Sequence, residues 1–320
     1  MNKQIGLGTW SWGNKLIWNY QENNDEELRC TLLEALKRGF SFVDTADSYG
    51  TGKLKGRSET LLGNFLNDLP SYKKNKIEIA TKLAPYPWRI GSKGFNSPYF
   101  KSLKRLKDRL DIVQLHWSTA IYNPWQDYQL LNNLCDLNDY GFQFKIGLSN
   151  IGPERLKKII NFLSKRGKKI YCVQVQYSLL SPNIDKQRLV KQICLENQIK
   201  FLAYSPLAFG ILSKNQNEAE RQKNSIIRNF ILSKYMKSTF ELRTLMKEIA
   251  DARSVSLAQV AVNWCCYQGA IPIVGLRKKS HVIDISNIFS WDLTVEEFDQ
   301  LESLSMECSK KLPSNPFSSS

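Results

Sequence analysis

No stretch of this 320-residue chain is apolar for long enough to cross a bilayer, which argues against a helical membrane protein. The N-terminus, Met1-Asn2-Lys3-Gln4, lacks the hydrophobic region of a secretory signal and the Arg/Ser-rich character of a transit segment. A soluble, cytoplasmic protein with no membrane partner is expected. Cysteine pairs are missing too. The seven cysteines (Cys30, Cys135, Cys172, Cys194, Cys265, Cys266 and Cys308) are odd in number, scattered and never spaced C-x-x-C, so neither a disulfide framework nor a metal site is expected. Cys265-Cys266 sit on an apolar helix face and read as packing. No serine or cysteine lies in a nucleophile-elbow sequence, so nothing here pairs a nucleophile with a base. Low-complexity linkers are also absent. The chain reads as one domain, residues 1–312, with a flexible tail over 313–320.

Acids are in short supply, 30 against 45 Lys plus Arg, which leaves a formal charge of +15. Nucleic acid is the partner such a charge suggests first. However, the basic runs Lys73-Lys74-Asn75-Lys76, Lys101 to Arg109 and Lys165-Arg166-Gly167-Lys168-Lys169 lie on separate helices and loops without interleaved exposed aromatics. They read as solvated faces, and no nucleic-acid partner is expected. The positive field would still attract a phosphate-bearing cofactor.

What is present is a repeated unit: a short apolar strand, then an amphipathic helix. Strands are expected at Leu7-Gly8-Thr9-Trp10, Phe42-Val43-Asp44, Ile77 to Lys82, Ile112 to His116, Phe144 to Asn150, Tyr171 to Val175, Lys200 to Pro206 and Ile271 to Gly275. Between them the spacing predicts helices over roughly Asp25–Arg38, one capped by Ser58 with Leu61, Leu62 and Phe65 on its apolar face, and one ending near Arg109. Further helices are expected from Pro124 to Gly141, from Pro153, over Asp185–Asn197, over Phe240–Tyr267 as a pair, and from Thr294. A polar insert, Ser213 to Ser238, precedes the pair. Eight strand–helix units in one chain describe an α/β fold of the (β/α)8 TIM-barrel class, with functional groups at the C-terminal strand ends.

Polar residues do close these strands. Asp44, Lys82 and His116 end three successive apolar runs, and Tyr49 follows five positions after Asp44 in a turn closed by Gly50. A phenol is a weak acid, but an adjacent ammonium stabilises its anion, and Lys82 is placed to lower the Tyr49 pKa with Asp44 as its counter-charge. His116 can hydrogen-bond a substrate oxygen beside the Tyr49 hydroxyl. This set is a proton donor for a carbonyl oxygen, and it needs a hydride source. Trp10, Trp12, Trp18, Trp88 and Trp117 fall near the same face, some of them as core. Asp47 reads as a solvated loop acid.

Gly8-Thr9-Trp10, Asp44-Thr45-Ala46-Asp47-Ser48-Tyr49-Gly50, Thr81-Lys82, Leu115-His116-Trp117, Gly147-Leu148-Ser149-Asn150, Gln174-Val175-Gln176-Tyr177, Ala203-Tyr204-Ser205-Pro206-Leu207 and Ile271-Pro272-Ile273-Val274-Gly275 cover all eight strands in order. Through them the chain resembles the aldo-keto reductases. Gly8 to Asn14 and Gln114 to Ala120 look most like a plant-plastid and cyanobacterial branch that includes pyridoxal-reductase-like enzymes. The resemblance implies NADPH-dependent reduction of a small-molecule carbonyl substrate by a tetrad of Asp44, Tyr49, Lys82 and His116. It further implies a cofactor site built from Thr9, from Ser149, Asn150 and Gln174 on the carboxamide, and from Tyr204 stacked on the nicotinamide. Ser205, Pro206, Leu207 and Gly210 would follow the pyrophosphate. Gly275, Arg277, Lys278 and His281 would lie at the adenosine 2′-phosphate, and Asp284 at the adenine. Trp10, Trp88 and Trp117 would line the substrate pocket. The chain departs from the family at Ile285, where asparagine is usual, and in lacking a long hairpin before the first strand. The family also contains potassium-channel β-subunits, so an NADPH-holding sensing module is the alternative reading.

Overall fold

Short runs of β-branched and other apolar residues become barrel strands because each is covered on both faces. In the computed structural model, which describes residues 3–70, 76–181, 184–213 and 235–310, the strands are β1 (Gly6–Gly8), β2 (Phe42–Asp44), β3 (Glu78–Leu83), β4 (Ile112–Leu115), β5 (Lys145–Ser149), β6 (Ile170–Gln176), β7 (Lys200–Tyr204) and β8 (Ile271–Gly275). All neighbours pair in parallel and β8 pairs with β1, closing the barrel. The expected (β/α)8 class is what the chain adopts. The tail 313–320, the Lys73-Lys74 run and most of the polar insert lie outside the described residues.

The surrounding helices are α1 (Asp25–Lys37), α2 (Arg57–Asn67), α3 (Asn96–Arg105), α4 (Gln126–Asp139), α5 (Pro153–Ser164), α6 (Ile184–Glu196), α7 (Phe240–Arg253), α8 (Leu257–Tyr267), α9 (Lys279–Ser286) and α10 (Val295–Ser309). Local chemistry explains several ends. Asp25, Glu26 and Glu27 occupy the first turn of α1 and Lys37 its last, matching the helix dipole. Thr294 and Glu297 cap α10 reciprocally. Ser58 does not cap α2. Gly56 does so at φ 79°, and the Ser58 hydroxyl instead donates to Thr9 Oγ1 at 2.6 Å. Two expected helices are shorter than read, α3 ending at Arg105 and α4 beginning at Gln126, and α9 adds a helix that the sequence pattern did not single out.

Side chains along a strand alternate between barrel interior and helix layer. Phe42, Ala80, Ile112, Cys172, Leu202 and Ile273 therefore form an apolar layer inside the barrel, separate from the core between strands and helices. Two residues further along, the same faces present Asp44, Lys82, Gln114, Gln174, Tyr204 and Gly275. The interior thus turns polar towards its C-terminal mouth. At the opposite end Tyr171 packs beneath the apolar layer. Its hydroxyl donates to Glu78 Oε1 at 2.8 Å, and the ammonium groups of Lys145 and Lys200 lie 4.1 and 4.7 Å from its ring centroid. First residues of the strands thus close the base.

Outside the barrel, α2 and α3 approach closely. A Cβ on Gly63 would stand 2.0 Å from the Arg105 carbonyl oxygen. In a free helix, Gly→Ala gains about 1 kcal/mol. Here the sign reverses because the obstacle is backbone. Gly63→Ala is expected to destabilise the protein by about 2 kcal/mol in urea denaturation. A stabilised variant would show that the two helices are further apart than described.

Candidate active site

Lys82 is the most enclosed charge at the barrel mouth. Its ammonium donates to Asp44 Oδ2 at 2.6 Å and to the Thr45 carbonyl at 2.8 Å, with the two side chains only 2% and 4% exposed. The second Asp44 oxygen accepts from Gln174 Nε2 at 2.9 Å and Gln114 Nε2 at 3.3 Å. Donors from three strands thus surround one carboxylate. Burial pushes the Lys82 pKa below its ordinary value, against the opposing pull of Asp44. Gln114 was not among the expected site residues. Its signal was parity: in β4 it shares the inward face with Ile112, two residues before it, and His116 follows at the same spacing.

The turn after β2 carries Tyr49. Its amide donates to the Ala46 carbonyl at 3.1 Å and its carbonyl accepts from Gly56 at 2.8 Å. Gly50, at φ 114°, follows directly, and a Cβ there would meet the Leu54 carbonyl oxygen at 1.9 Å. Only glycine closes this turn. The ring of Tyr49 lies with its centroid 4.9 Å from Lys82 Nζ and 5.8 Å from the His116 ring, edge-on at 71°. Tyr49 differs from expectation in one respect. Burial, and then the Asp44 charge, raise its pKa well above the ordinary value rather than lowering it, because Asp44 already neutralises the nearby ammonium. It is a phenol at neutral pH.

His116 follows β4, its amide bonded to the Leu83 carbonyl at 3.1 Å. Its Nδ1 lies 3.3 Å from Ser48 Oγ. Burial, reinforced by the Lys82 and Arg89 charges, drives its pKa well below the ordinary value, so the imidazole is neutral. The tetrad expected from spacing is therefore brought together around one opening.

Asp47 corrects the sequence reading, for it is buried rather than solvated. One oxygen takes the Arg89 guanidinium, and the other accepts from the Ala84 amide at 3.2 Å. Arg89 also donates to the Ala84 carbonyl at 2.7 Å, and the buried Gln126 amide holds the Tyr86 and Arg89 carbonyls at 2.8 and 3.0 Å. The loop between β3 and α3 is thereby fastened to the Tyr49 turn on one side and to α4 on the other. It presents Tyr86, on which Trp88 stacks at 4.8 Å and against which Trp117 packs edge-on at 5.9 Å. Trp88 is 72% exposed, Trp117 half-buried. Trp10 packs edge-on against Trp18 and Phe209 at 5.9 and 5.7 Å, and Trp12 belongs wholly to the core.

Around the other half of the mouth, Asn150 at φ 53° donates to the His116 carbonyl at 3.0 Å and to Ser149 Oγ at 3.2 Å, and accepts from the Tyr204 hydroxyl at 2.6 Å. Beyond β7, Ser205, Ala208, Phe209 and Gly210 all have positive φ, so the backbone of the segment containing Pro206 and Leu207 coils tightly. Gly275 is exposed with open space at its Cβ position, and Arg277 (half-buried) leads to exposed Lys278 and His281. Two of the expected cofactor residues are bonded within the protein. Thr9 is fully buried, its hydroxyl donating to the Asp44 carbonyl at 2.9 Å, so it frames the strand end. Asp284 accepts from Ser256 Oγ and Gln259 Nε2, both at 2.7 Å, and so is tied to the start of α8, while Ile285 turns into the core.

A model of the aldo/keto reductase family matches residues 4–306. The chain is 40% identical over 317 residues to the chloroplastic pyridoxal reductase of Arabidopsis thaliana, covering 98% of this chain and 86% of that protein. It is 26% identical over 315 residues to the aldo-keto reductase YhdN of Bacillus subtilis, with 92% and 87% covered. An aldo-keto reductase from Klebsiella pneumoniae, solved in complex with NADPH, shares the fold at a TM-score of 0.69 and 22% identity, with 94% of this chain and 90% of that one covered.

The Asp47–Arg89 pair supports a direct test. Removing the cation leaves a carboxylate in a dry site, at a cost of about 3 kcal/mol. Burial already raises the Asp47 pKa, with Arg89 opposing, and Arg89→Met raises it further. An acid with a raised folded pKa contributes stability below its unfolded value and loses it as pH climbs through the folded one. The deficit of Arg89→Met in urea denaturation should therefore be larger at pH 8 than at pH 5, and Asp47→Asn in the same chain should recover most of it. A pH-independent deficit would contradict a buried, uncompensated Asp47.

Proposed function

Because this chain belongs to the aldo/keto reductase family, we propose that it reduces an aldehyde or ketone to an alcohol with NADPH, using Tyr49 as the proton donor. The observation that carries the assignment is the placement of one buried ammonium, Lys82 Nζ, 2.6 Å from Asp44 and 4.9 Å from the centre of the Tyr49 ring, with a neutral His116 beside them.

The donor set of the mouth fits the cofactor. Ser149, Asn150 and the Gln174 carbonyl oxygen offer complementary partners for a carboxamide, and the half-exposed Tyr204 ring offers a flat face for a nicotinamide. The coiled backbone from Ser205 to Gly210, including Pro206 and Leu207, would hold the pyrophosphate through its amides. Arg277 and Lys278, with His281 on the first turn of α9, would meet a 2′-phosphate, and Gly275 leaves room for the ribose. When bound, NADPH would supply the hydride that the protein itself cannot.

The residues supply the rest. His116 holds the carbonyl oxygen by a hydrogen bond within reach of the Tyr49 hydroxyl. Tyr49 gives its proton to that oxygen as negative charge gathers there. Lys82 stabilises the phenolate left behind, and Asp44 keeps Lys82 charged despite its burial. Trp10, Phe209, Tyr86, Trp88 and Trp117 wall the opening with aromatic surface, which favours flat, largely apolar carbonyl compounds. Pyridoxal is the first substrate to try, given the name of the Arabidopsis relative.

The test is NADPH oxidation by the purified protein with pyridoxal and 4-nitrobenzaldehyde. Tyr49→Phe should lower kcat by about 1,000-fold while the Kd for NADPH changes less than about twofold. Equal loss of both would remove Tyr49 from the chemistry, and tight NADPH binding without turnover in the wild type would favour a sensing module. With His116 neutral and Tyr49 protonated, kcat/KM for reduction should stay flat from about pH 6 to about pH 9. A fall centred near pH 7 would mean that one of these groups titrates there. Arg277→Ala should weaken NADPH about tenfold and leave NADH nearly unchanged, and equal weakening of the two would place Arg277 away from the 2′-phosphate.

A further inference from the structure

We propose that Ser48 is a positioning residue for this reduction: its hydroxyl donates a hydrogen bond to His116 Nδ1, leaving the remaining ring hydrogen on Nε2, where the substrate oxygen is held. The proposal rests on the reductase reading and adds the group that selects the imidazole's working form.

A carbonyl oxygen has lone pairs and no hydrogen, so the ring nitrogen that holds it must carry one. His116 is half-buried, and with the Lys82 and Arg89 charges nearby it bears a single ring hydrogen. Spending that hydrogen at Nε2 leaves Nδ1 bare, and a bare, partly buried nitrogen is best satisfied by a donor. The Ser48 hydroxyl stands there, 3.3 Å away, and no protein group bonds Nε2 among the described residues. Histidines in enzymes are commonly oriented by a carboxylate or backbone carbonyl, which accepts and therefore fixes the hydrogen on the near nitrogen. Here that arrangement would turn a lone pair towards the substrate oxygen.

The neighbouring acids are kept from doing so. Asp44 is occupied by Lys82, Gln174 and Gln114, and Asp47, next to Ser48 in the chain, is held by Arg89 and the Ala84 amide. The backbone fixes both partners. Asn150 Nδ2 holds the His116 carbonyl at 3.0 Å, and the turn bond from the Tyr49 amide to Ala46 sets the Ser48 side chain against the ring. A hydroxyl is the side-chain group at this point that can donate to Nδ1 without bringing charge.

The chain has only two histidines, His116 and His281, so their ring nitrogens can be followed by 15N NMR in the whole protein. In the wild type, His116 should show a protonated Nε2 and a bare Nδ1 whose resonance is displaced by an accepted hydrogen bond. In Ser48→Ala that resonance should move to the position of a free lone pair, while in Ser48→Thr, which keeps a hydroxyl, it should stay. Turnover should follow: Ser48→Ala should lose about five- to tenfold in kcat, with NADPH affinity unchanged, and Ser48→Thr should regain most of it. A protonated Nδ1 in the wild type, or an Ala variant with unmoved resonance and unchanged kcat, would overturn the assignment. The spectra are recorded without a carbonyl compound, so they decide the tautomer even if the wild type reduces nothing, an outcome that would sink the reductase reading alone.

Discussion

The contact on which the rest of the site depends is the ion pair between Lys82 and Asp44. Both charges are enclosed inside the barrel, where removing an ion from water costs several kcal/mol. The pair is tolerable because its hydrogen-bonding capacity is used: Lys82 also donates to the Thr45 carbonyl, and Asp44 accepts from Gln174 and Gln114. Counting Lys82 itself, the donors to Asp44 come from β3, β4 and β6, so the pair ties several strands of the barrel together at the height of the mouth. The apolar layer one step below, from Phe42 to Ile273, keeps water from entering beneath it.

Much of this arrangement was legible in the sequence because strands have a period of two. Once Phe42-Val43-Asp44 is a strand with Phe42 inside, Asp44 is inside as well, and the same holds for Ala80 and Lys82 and for Ile112, Gln114 and His116. Local composition also located the helices, since caps and dipole charges act within one turn. What it missed depends on contacts between distant segments. Asp47 looks solvated beside Ser48 and Gly50, and nothing near it in the chain shows that Arg89 returns to cover it. Ser58 has the chemistry of a cap, but Thr9 competes for its hydroxyl from the neighbouring strand end and Gly56 takes over the turn. Thr9 and Asp284 match a motif by position, while their bonds to Asp44 and to α8 come from packing.

The pKa of Tyr49 shows the same limit in electrostatic form. From sequence, an ammonium beside a phenol lowers its pKa, and Lys82 is indeed beside it. The opposite sign follows from the order of distances. Asp44 is in contact with the ammonium, so the phenolate would meet a nearly neutral pair together with a dehydrated pocket. Spacing along the chain identifies which groups meet, and only the geometry decides which of them is closest.

That sign is an advantage for a proton donor. A tyrosine that ionised readily in this pocket would lose its proton to solvent before any substrate arrived. With burial and Asp44 holding the proton in place, release requires a base that becomes strong only during reaction, such as a carbonyl oxygen acquiring negative charge. The ammonium is already fixed and desolvated when that happens, so it needs no reorganisation to stabilise the phenolate. His116 works under the same constraint. Its neutrality comes from burial and from the Lys82 and Arg89 charges, and a neutral ring can direct one hydrogen at the oxygen without competing with Tyr49 to supply the proton. One buried cation, quenched by one acid, thus keeps the phenol and the imidazole in the protonation states that carbonyl reduction requires.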